Sequence, residues 1–310
     1  MSKKIIDIHA HMGDIFTPSQ NNTFKMNVKR RDIPNSPFAK LEASGFSTPL
    51  IDGSLEQVAL LVDLGQELCH VNTAENISKD LDKFGISYIC LYPILPNTSF
   101  EEYKAAAMYF DKRFLPFTSA DFNLSIETMI AKLESDIAKG AYGLKIHPVL
   151  QNIRLSDPRV EAAIEVFGKA KKPIVSHCGA NDYYHPHQTI PRDPEAGDPK
   201  YFIQMVKKFP QYTFIAAHAG GLMGGEMDIL YNETKGLSNF YLDTTFRSAE
   251  DIKKMVQFFG PDRPCFGTDK PFSTPEGSLK AVMEACGDGT ELEEKILYKN
   301  ALRCLNADLP

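Results

Sequence analysis

Two histidines two residues apart, His9 and His11 in the run IDIHAH, are the first residues in the chain that could do chemistry. Side chains alternate along a β-strand, so both imidazoles should stand on one face, with Ile8 and Ala10 on the other. Neutral imidazole is a ligand for Zn, Ni, Fe and Mn, which makes such a pair half of a divalent-cation site. Taken alone, one exposed and one hydrogen-bonded histidine would look the same. Four further apolar runs, however, end in groups of this kind: Lys145 and His147 in GLKIH, His177 in PIVSH, His218 in FIAAH, and Asp269 in FGTD. Five of the 8 histidines sit at such ends. Random placement would put fewer than one there if eight strand ends offered about two positions each. An unpartnered imidazole or charge inside a packed barrel is costly, so a shared metal is the economical explanation for this convergence.

The runs that carry these residues recur with a rhythm. They cover 5–11, 86–92, 114–120, 142–147, 173–178, 212–218, 240–245 and 264–269, and from the second onward their starts lie 28, 28, 31, 39, 28 and 24 residues apart. That is about one strand, one helix and two short loops. Between them, Ile126, Met129, Ile130, Leu133 and Ile137 mark one helical face that Ser125 can cap and Gly140 can end. Val160, Ala163, Ile164 and Phe167 mark another, with Asp157 placed to cap and Pro158 at the first helical position. Strands apolar on both faces, alternating with helices, suit either a closed (β/α)8 barrel or an open doubly wound sheet. Eight runs and no GxGxxG after any of them favour the barrel. The expectation is an α/β chain forming one TIM-barrel domain over 1–310, with the metal site at the C-terminal rim of the strands. The segments 14–54 and 179–199 break the rhythm and read as βα-loop insertions at the mouth.

Composition agrees with this and closes other routes. Of 310 residues, 43% are hydrophobic and 24% charged, which excludes a disordered or fibrous chain. The net charge is −6 with no basic run, so no nucleic-acid partner is expected. No apolar stretch approaches the roughly 20 residues that span a bilayer. Asp7 and His9 interrupt the only apolar stretch a leader could use at the start, so none is expected. The 6 cysteines are scattered without a CxxC pair, as reduced thiols in a cytoplasmic protein would be.

The set IDIHAH, GLKIHP, IVSHCG, FIAAHAGG and FGTDKPF resembles the amidohydrolase superfamily, most closely its family 2 metal-dependent hydrolases. The resemblance runs from about 5 to 275 and implies a (β/α)8 barrel with a divalent metal at the strand ends. It implies His9, His11, His177 and Asp269 as ligands of the tighter site, and His218 as either a ligand of a second metal or an acid and electrophile. It also implies that the residue matching Lys145 is carbamylated and bridges two metals in binuclear relatives and is often absent in mononuclear family 2 relatives, so the presence of Lys145 keeps the binuclear version open. From its chemistry alone Lys145 could instead be an ammonium gripping a substrate carboxylate or phosphate. The cofactor expected is therefore a divalent metal, zinc foremost, in one or two copies. Relatives are often dimers, which makes a homodimer an expectation by analogy.

Other residues carry weaker signals. His147 could touch substrate or orient a ligand, and Arg247 could clamp an anionic substrate group or pair with a surface acid. Arg30 and Arg31 could cap the mouth. His185 and His187 read as solvated loop residues, and Cys178 as packing. Asp243 is either a polar group at the mouth or a carboxylate orienting a histidine. Gly220, Gly221, Gly224 and Gly225 suit a close backbone approach more than a phosphate cradle. The expected function is metal-dependent hydrolysis of a C–O or C–N bond in a small, carboxylated molecule, with Asp269 as general base and His218 polarising the electrophilic oxygen. A metal-dependent non-oxidative decarboxylase and a non-catalytic metal- or ligand-binding barrel are the alternatives.

Overall fold

The computed structural model describes residues 3–17, 22–29, 36–48, 54–222 and 225–309. Arg30, Arg31 and Gly224 lie outside the described residues. Strands follow in chain order: β1 (Ile6–Ala10), β2 (Tyr88–Leu91), β3 (Phe114–Pro116), β4 (Thr118–Ser119), β5 (Leu144–Ile146), β6 (Ile174–Ser176), β7 (Phe214–Ala216), β8 (Phe240–Asp243) and β9 (Pro264–Cys265). Neighbours pair in parallel in the orders β1-β2-β3 and β4-β5-β6-β7-β8-β9. β3 and β4 are the single third run of the sequence, interrupted at Phe117. There the Phe117 N–H donates to Leu91 O at 2.9 Å and the next N–H, of Thr118, donates to Gly143 O at 2.9 Å. Hydrogen bonds also join the last strand to the first: Ile8 N–H to Phe266 O, Asp269 N–H to His9 O and His11 N–H to Lys270 O, each 2.8 Å. The architecture is an α/β TIM barrel.

Helices fill the connections as the capping signals require. Ser125 accepts from Thr128 N–H at 3.2 Å to start Ile126–Ala138, and Asp157 accepts from Arg159 N–H at 2.8 Å to start Pro158–Lys169. One detail differs: Ile126 is 43% exposed, and the buried face of its helix runs through Met129, Leu133 and Asp136. Asp136 accepts the Thr118 hydroxyl at 2.7 Å, which turns that face toward β4. Of the first insertion, the described part holds a short helix, Pro37–Ala43, and is followed by the long helix Leu55–Val71. Among the described residues no helix is long and apolar enough to cross a membrane.

Alternation along the strands divides two apolar layers. Cys90, Leu115, Val175, Ile215, Tyr241 and Cys265 fill the barrel with Ile6 and Ile8, over a floor of Ala301, Cys304 and Leu305. Leu91, Leu144, Ile146, Phe214, Leu242 and Ala10 face the surrounding helices. Lys145, between Leu144 and Ile146, therefore points inward.

β1 departs from strict alternation. Asp7 pairs with Ile89 and Ala10 with Leu91, three steps against two, which is a β-bulge. Ile8 consequently faces the barrel interior rather than the side opposite His9, which corrects the simple period-2 expectation. Buried Asp7 holds the irregularity: its carboxylate accepts His9 N–H (3.1 Å), Thr268 N–H (3.1 Å) and the Thr268 hydroxyl (2.6 Å).

Candidate active site

His9 and His11 rise from the end of β1, Lys145 from β5, and His177 directly after β6. His218 follows β7, and Asp269 follows β9. All are buried. His218 and Asp269 hold positive φ angles of 55° and 54°, as does Phe246 at 55° beside them. Left-handed backbone at non-glycine residues costs on the order of 1 kcal/mol or more, and it clusters where side chains must be aimed rather than merely accommodated. Here it turns the residues after β7, β8 and β9 back over the mouth.

The hydrogen bonds on the far side of three imidazoles fix their tautomers. His11 Nδ1 is 2.7 Å from Tyr92 O, a carbonyl that can only accept, so Nδ1 carries the proton. His9 Nδ1 is 2.7 Å from Asp243 Oδ2, again an acceptor. His218 Nδ1 is 2.5 Å from Thr245 Oγ1, whose own proton is committed to Asp243 Oδ1 at 2.6 Å, so the histidine donates. Each of the three thus presents a bare Nε2. Asp269 Oδ1 stands 3.3 Å from both His9 Nε2 and His11 Nε2, and Oδ2 stands 4.0 Å from His218 Nε2. Oδ1 is buried and has no hydrogen-bond partner among the described residues. Lys145 Nζ and His177 Nδ1 are the groups beside His9 Nε2 and His218 Nε2 that can carry protons, and the remaining convergence of His11 Nε2 and the partnerless Asp269 Oδ1 on His9 Nε2 calls for a cation. His9, His11 and Asp269 offer ligand atoms all within 4.8 Å of one another, so the donor set fits a metal ion.

Burial sets the charges to match. It pushes His9 and His218 well below the usual histidine range, and His177 down to about 3, with the Lys145 charge acting in the same direction on each. It raises the Asp269 carboxyl and brings Lys145 down to about 8. Imidazoles held neutral are ligands rather than cations.

His177 Nδ1 lies 3.1 Å from His218 Nε2, while its Nε2 lies 2.8 Å from the Tyr183 hydroxyl and 3.3 Å from Gly179 O. His147 stacks on His177, rings 4.0 Å apart and 6° from parallel, and its Nδ1 accepts Leu150 N–H at 3.2 Å. Lys145 Nζ is 3.3 Å from His9 Nε2 and 5.0 Å above the Tyr92 ring.

A pocket opens on this set, lined by His11, His147, His177, His218 and Asp269, by Asn181, Asp182 and Tyr183, and otherwise by apolar side chains. Lys145 and Arg247 are outside its lining. Arg247 donates through Nη2 to Gly221 O, and its Nε is buried without a partner among the described residues. Cys178 is buried in the layer that faces the helices, its thiol 3.7 Å from Ser176 O. The rings of His185 and His187 lie 4.0 Å apart in the loop after β6, away from the pocket lining.

Four residues that sequence reasoning missed or left open complete the site. Asp243 accepts from His9 Nδ1, the His218 backbone N–H and Thr245 at once, which settles it as an orienting carboxylate. Thr245, Tyr92 and Tyr183 had no separate signal, although Thr245 lies two residues beyond Asp243, the last residue of β8.

A TIM barrel with an inward ring of histidines and one aspartate at its strand ends defines the class of metal-dependent barrel hydrolases and lyases. The family profile described as amidohydrolase matches residues 72–307, and the chain belongs to that family. No curated protein matches the chain. Among solved structures, an uncharacterized TIM-barrel protein from Bordetella bronchiseptica is 17% identical with a TM-score of 0.67, covering 98% of both chains. A probable 2-pyrone-4,6-dicarboxylic acid hydrolase from Acinetobacter baumannii is 13% identical (TM-score 0.62, 98% and 99% covered). A 5-carboxyvanillate decarboxylase from Novosphingobium aromaticivorans, solved with bound manganese, is 12% identical (TM-score 0.62, 99% and 98% covered). At these identities the likeness is one of fold.

Proposed function

We propose that the protein is a metal-dependent hydrolase that cleaves an ester, lactone or amide bond in a small acyl substrate. The observation that carries this reading is the set of bare acceptors, Nε2 of His9, His11 and His218 with Asp269 Oδ1, facing one another at the floor of a pocket. His9, His11 and Asp269 would hold a divalent cation, zinc foremost, which when bound would supply Lewis acidity and bring the pKa of water toward about 7; His177 would join them by giving up its contacts to His218 Nε2 or the Tyr183 hydroxyl. Asp269 Oδ2 is the proton acceptor for the attacking water, and His218 Nε2, 4.0 Å away, shares that proton before the leaving group takes it. Asp243 and Tyr92 O keep the imidazoles in the ligand tautomer. Lys145 lies behind the ligands rather than in the pocket wall, which favours a role on the cation side, carbamylated or as an amine, over a grip on substrate.

A second reading, non-oxidative decarboxylation, is favoured by one observation: most of the wall beyond the ligands is apolar, and moving a carboxylate from water into such surroundings favours its loss as CO2. The deciding experiment strips the protein with a chelator, reloads it with zinc or manganese, and follows carboxylate formation and CO2 release over a panel of esters, lactones, amides and aromatic acids. Metal-dependent carboxylate formation without CO2 is expected, and Asp269→Asn should lower it by a factor on the order of a thousand while the circular-dichroism spectrum is unchanged. CO2 release would reverse the ranking. Turnover near wild type in Asp269→Asn would remove that carboxylate from the chemistry.

A further inference from the structure

Away from the ligand set the pocket is lined by Asn181, Asp182 and Tyr183 and otherwise by hydrocarbon. Leu61, Val62 and Gly65 present one face of the helix Leu55–Val71 to it, and Phe16, Phe38 and Phe272 supply rings. Phe272 lies 5.8 Å from Phe16 and 5.7 Å from Phe38 between centroids, and its ring is also 6.5 Å from that of His11. The apolar wall is therefore continuous with the reacting end.

Gly65 is the informative residue. It is buried within the helix, where glycine is the poorest helix former after proline. No turn or left-handed backbone requires it, and a Cβ there would meet Phe16 Cε2 at 3.4 Å and Phe272 Cε1 at 3.6 Å, ordinary contact distances. Crowding does not demand a glycine either. A side chain longer than alanine would take up the space of the pocket itself.

We infer that the apolar half is a subsite for the hydrocarbon body of the substrate, with Gly65 setting how long that body can be. The lining offers Phe16, Phe38, Leu61 and Val62 to the rest of the molecule, so the substrate class is an acyl compound with one polar head and an uncharged tail. A tail-end carboxylate would be desolvated there against rings and methyl groups. The inference rests on the reading of the ligand set as the place where the polar head binds, but it concerns binding rather than bond cleavage.

The test uses the full chain reloaded with zinc and titrates acetate, butanoate, hexanoate, octanoate and octanedioate by calorimetry. Affinity should rise about fourfold per methylene, the factor expected for burying each CH2, until the pocket is full. Octanedioate should bind at least about tenfold more weakly than octanoate. Gly65→Leu should lower the octanoate-to-acetate affinity ratio by at least about tenfold, having filled the space of several methylenes. Affinity that is flat along the series, octanedioate equal to octanoate, or an unchanged ratio in Gly65→Leu would each overturn the subsite. If Gly65→Leu does not fold, Gly65→Val is read in the same way, and the series on the wild-type chain decides by itself. Chain-length-dependent binding without turnover of octanoyl esters, octanoyl amides or eight-carbon lactones would sink the hydrolase reading and leave the subsite standing. Turnover of acetyl but not octanoyl esters, with a flat series, would do the reverse.

Discussion

An imidazole can give a lone pair to a cation only from the nitrogen that carries no proton, so the partner on its other side decides whether it is a ligand at all. For His9 that partner is Asp243, which also takes the His218 N–H and the Thr245 hydroxyl. An asparagine would have the same shape but would turn either a second donor toward His9 Nδ1 or lose the contact to Thr245. Asp243→Asn is therefore expected to weaken zinc binding by about 10- to 100-fold without unfolding the chain, read by competition with a chromophoric chelator. An affinity equal to wild type would mean that Asp243 does not set the tautomer. The ligand-type residues themselves were legible in the sequence because they are rare groups at regular strand ends. Tyr92 was not, because its contribution to His11 is a backbone carbonyl, and any residue type supplies one.

At the scale of elements, the strand-helix rhythm was legible because parallel strands sandwiched between layers are apolar on both faces and helices carry caps. Ser125 and Asp157 start their helices where the sequence puts them. The bulge in β1 was hidden, since a period-2 pattern contains no mark for an extra residue. Asp7, a carboxylate in an otherwise apolar run, was the trace it left, and its three donors explain why it is there. The role of the helix Leu55–Val71 as a pocket wall was hidden as well, because it depends on how a long insertion folds back over the mouth. That helix yields a stability prediction separate from binding. Gly65→Ala adds a methyl at contact distance from Phe16 and Phe272 and removes a helix-interior glycine. It should raise stability by about 1 kcal/mol and the melting temperature by about 2 °C. A lower melting temperature would show that the wall is tighter than the 3.4 Å contact implies.

For the molecule as a whole, gathering so many titratable groups in the barrel makes stability depend on pH in a direction that can be worked out. Burial lowers His9, His147 and His218 well below the ordinary value and His177 to about 3. An unfolded chain returns each to about 6.5, so below that pH it binds protons that the folded chain refuses. Stability is then lost as pH falls, by about 1.4 kcal/mol per pH unit for each fully shifted histidine. Two carboxyls oppose this: burial raises Asp269, and raises Asp7 to about 7, so the folded chain keeps protons that the unfolded chain releases above about 4. Four groups against two leave a net loss of stability as pH falls from about 6.5 to about 5. The metal-free protein should accordingly show a urea midpoint that drops steeply from pH 7 to pH 5. Zinc, binding only the folded ligand set, should raise the midpoint at both ends. Urea titrations at pH 7, 6 and 5, with chelator and with zinc, measure this directly. A midpoint that stays flat in chelator would mean the imidazoles take up protons inside the fold, and the neutral ring of ligands would have to be abandoned.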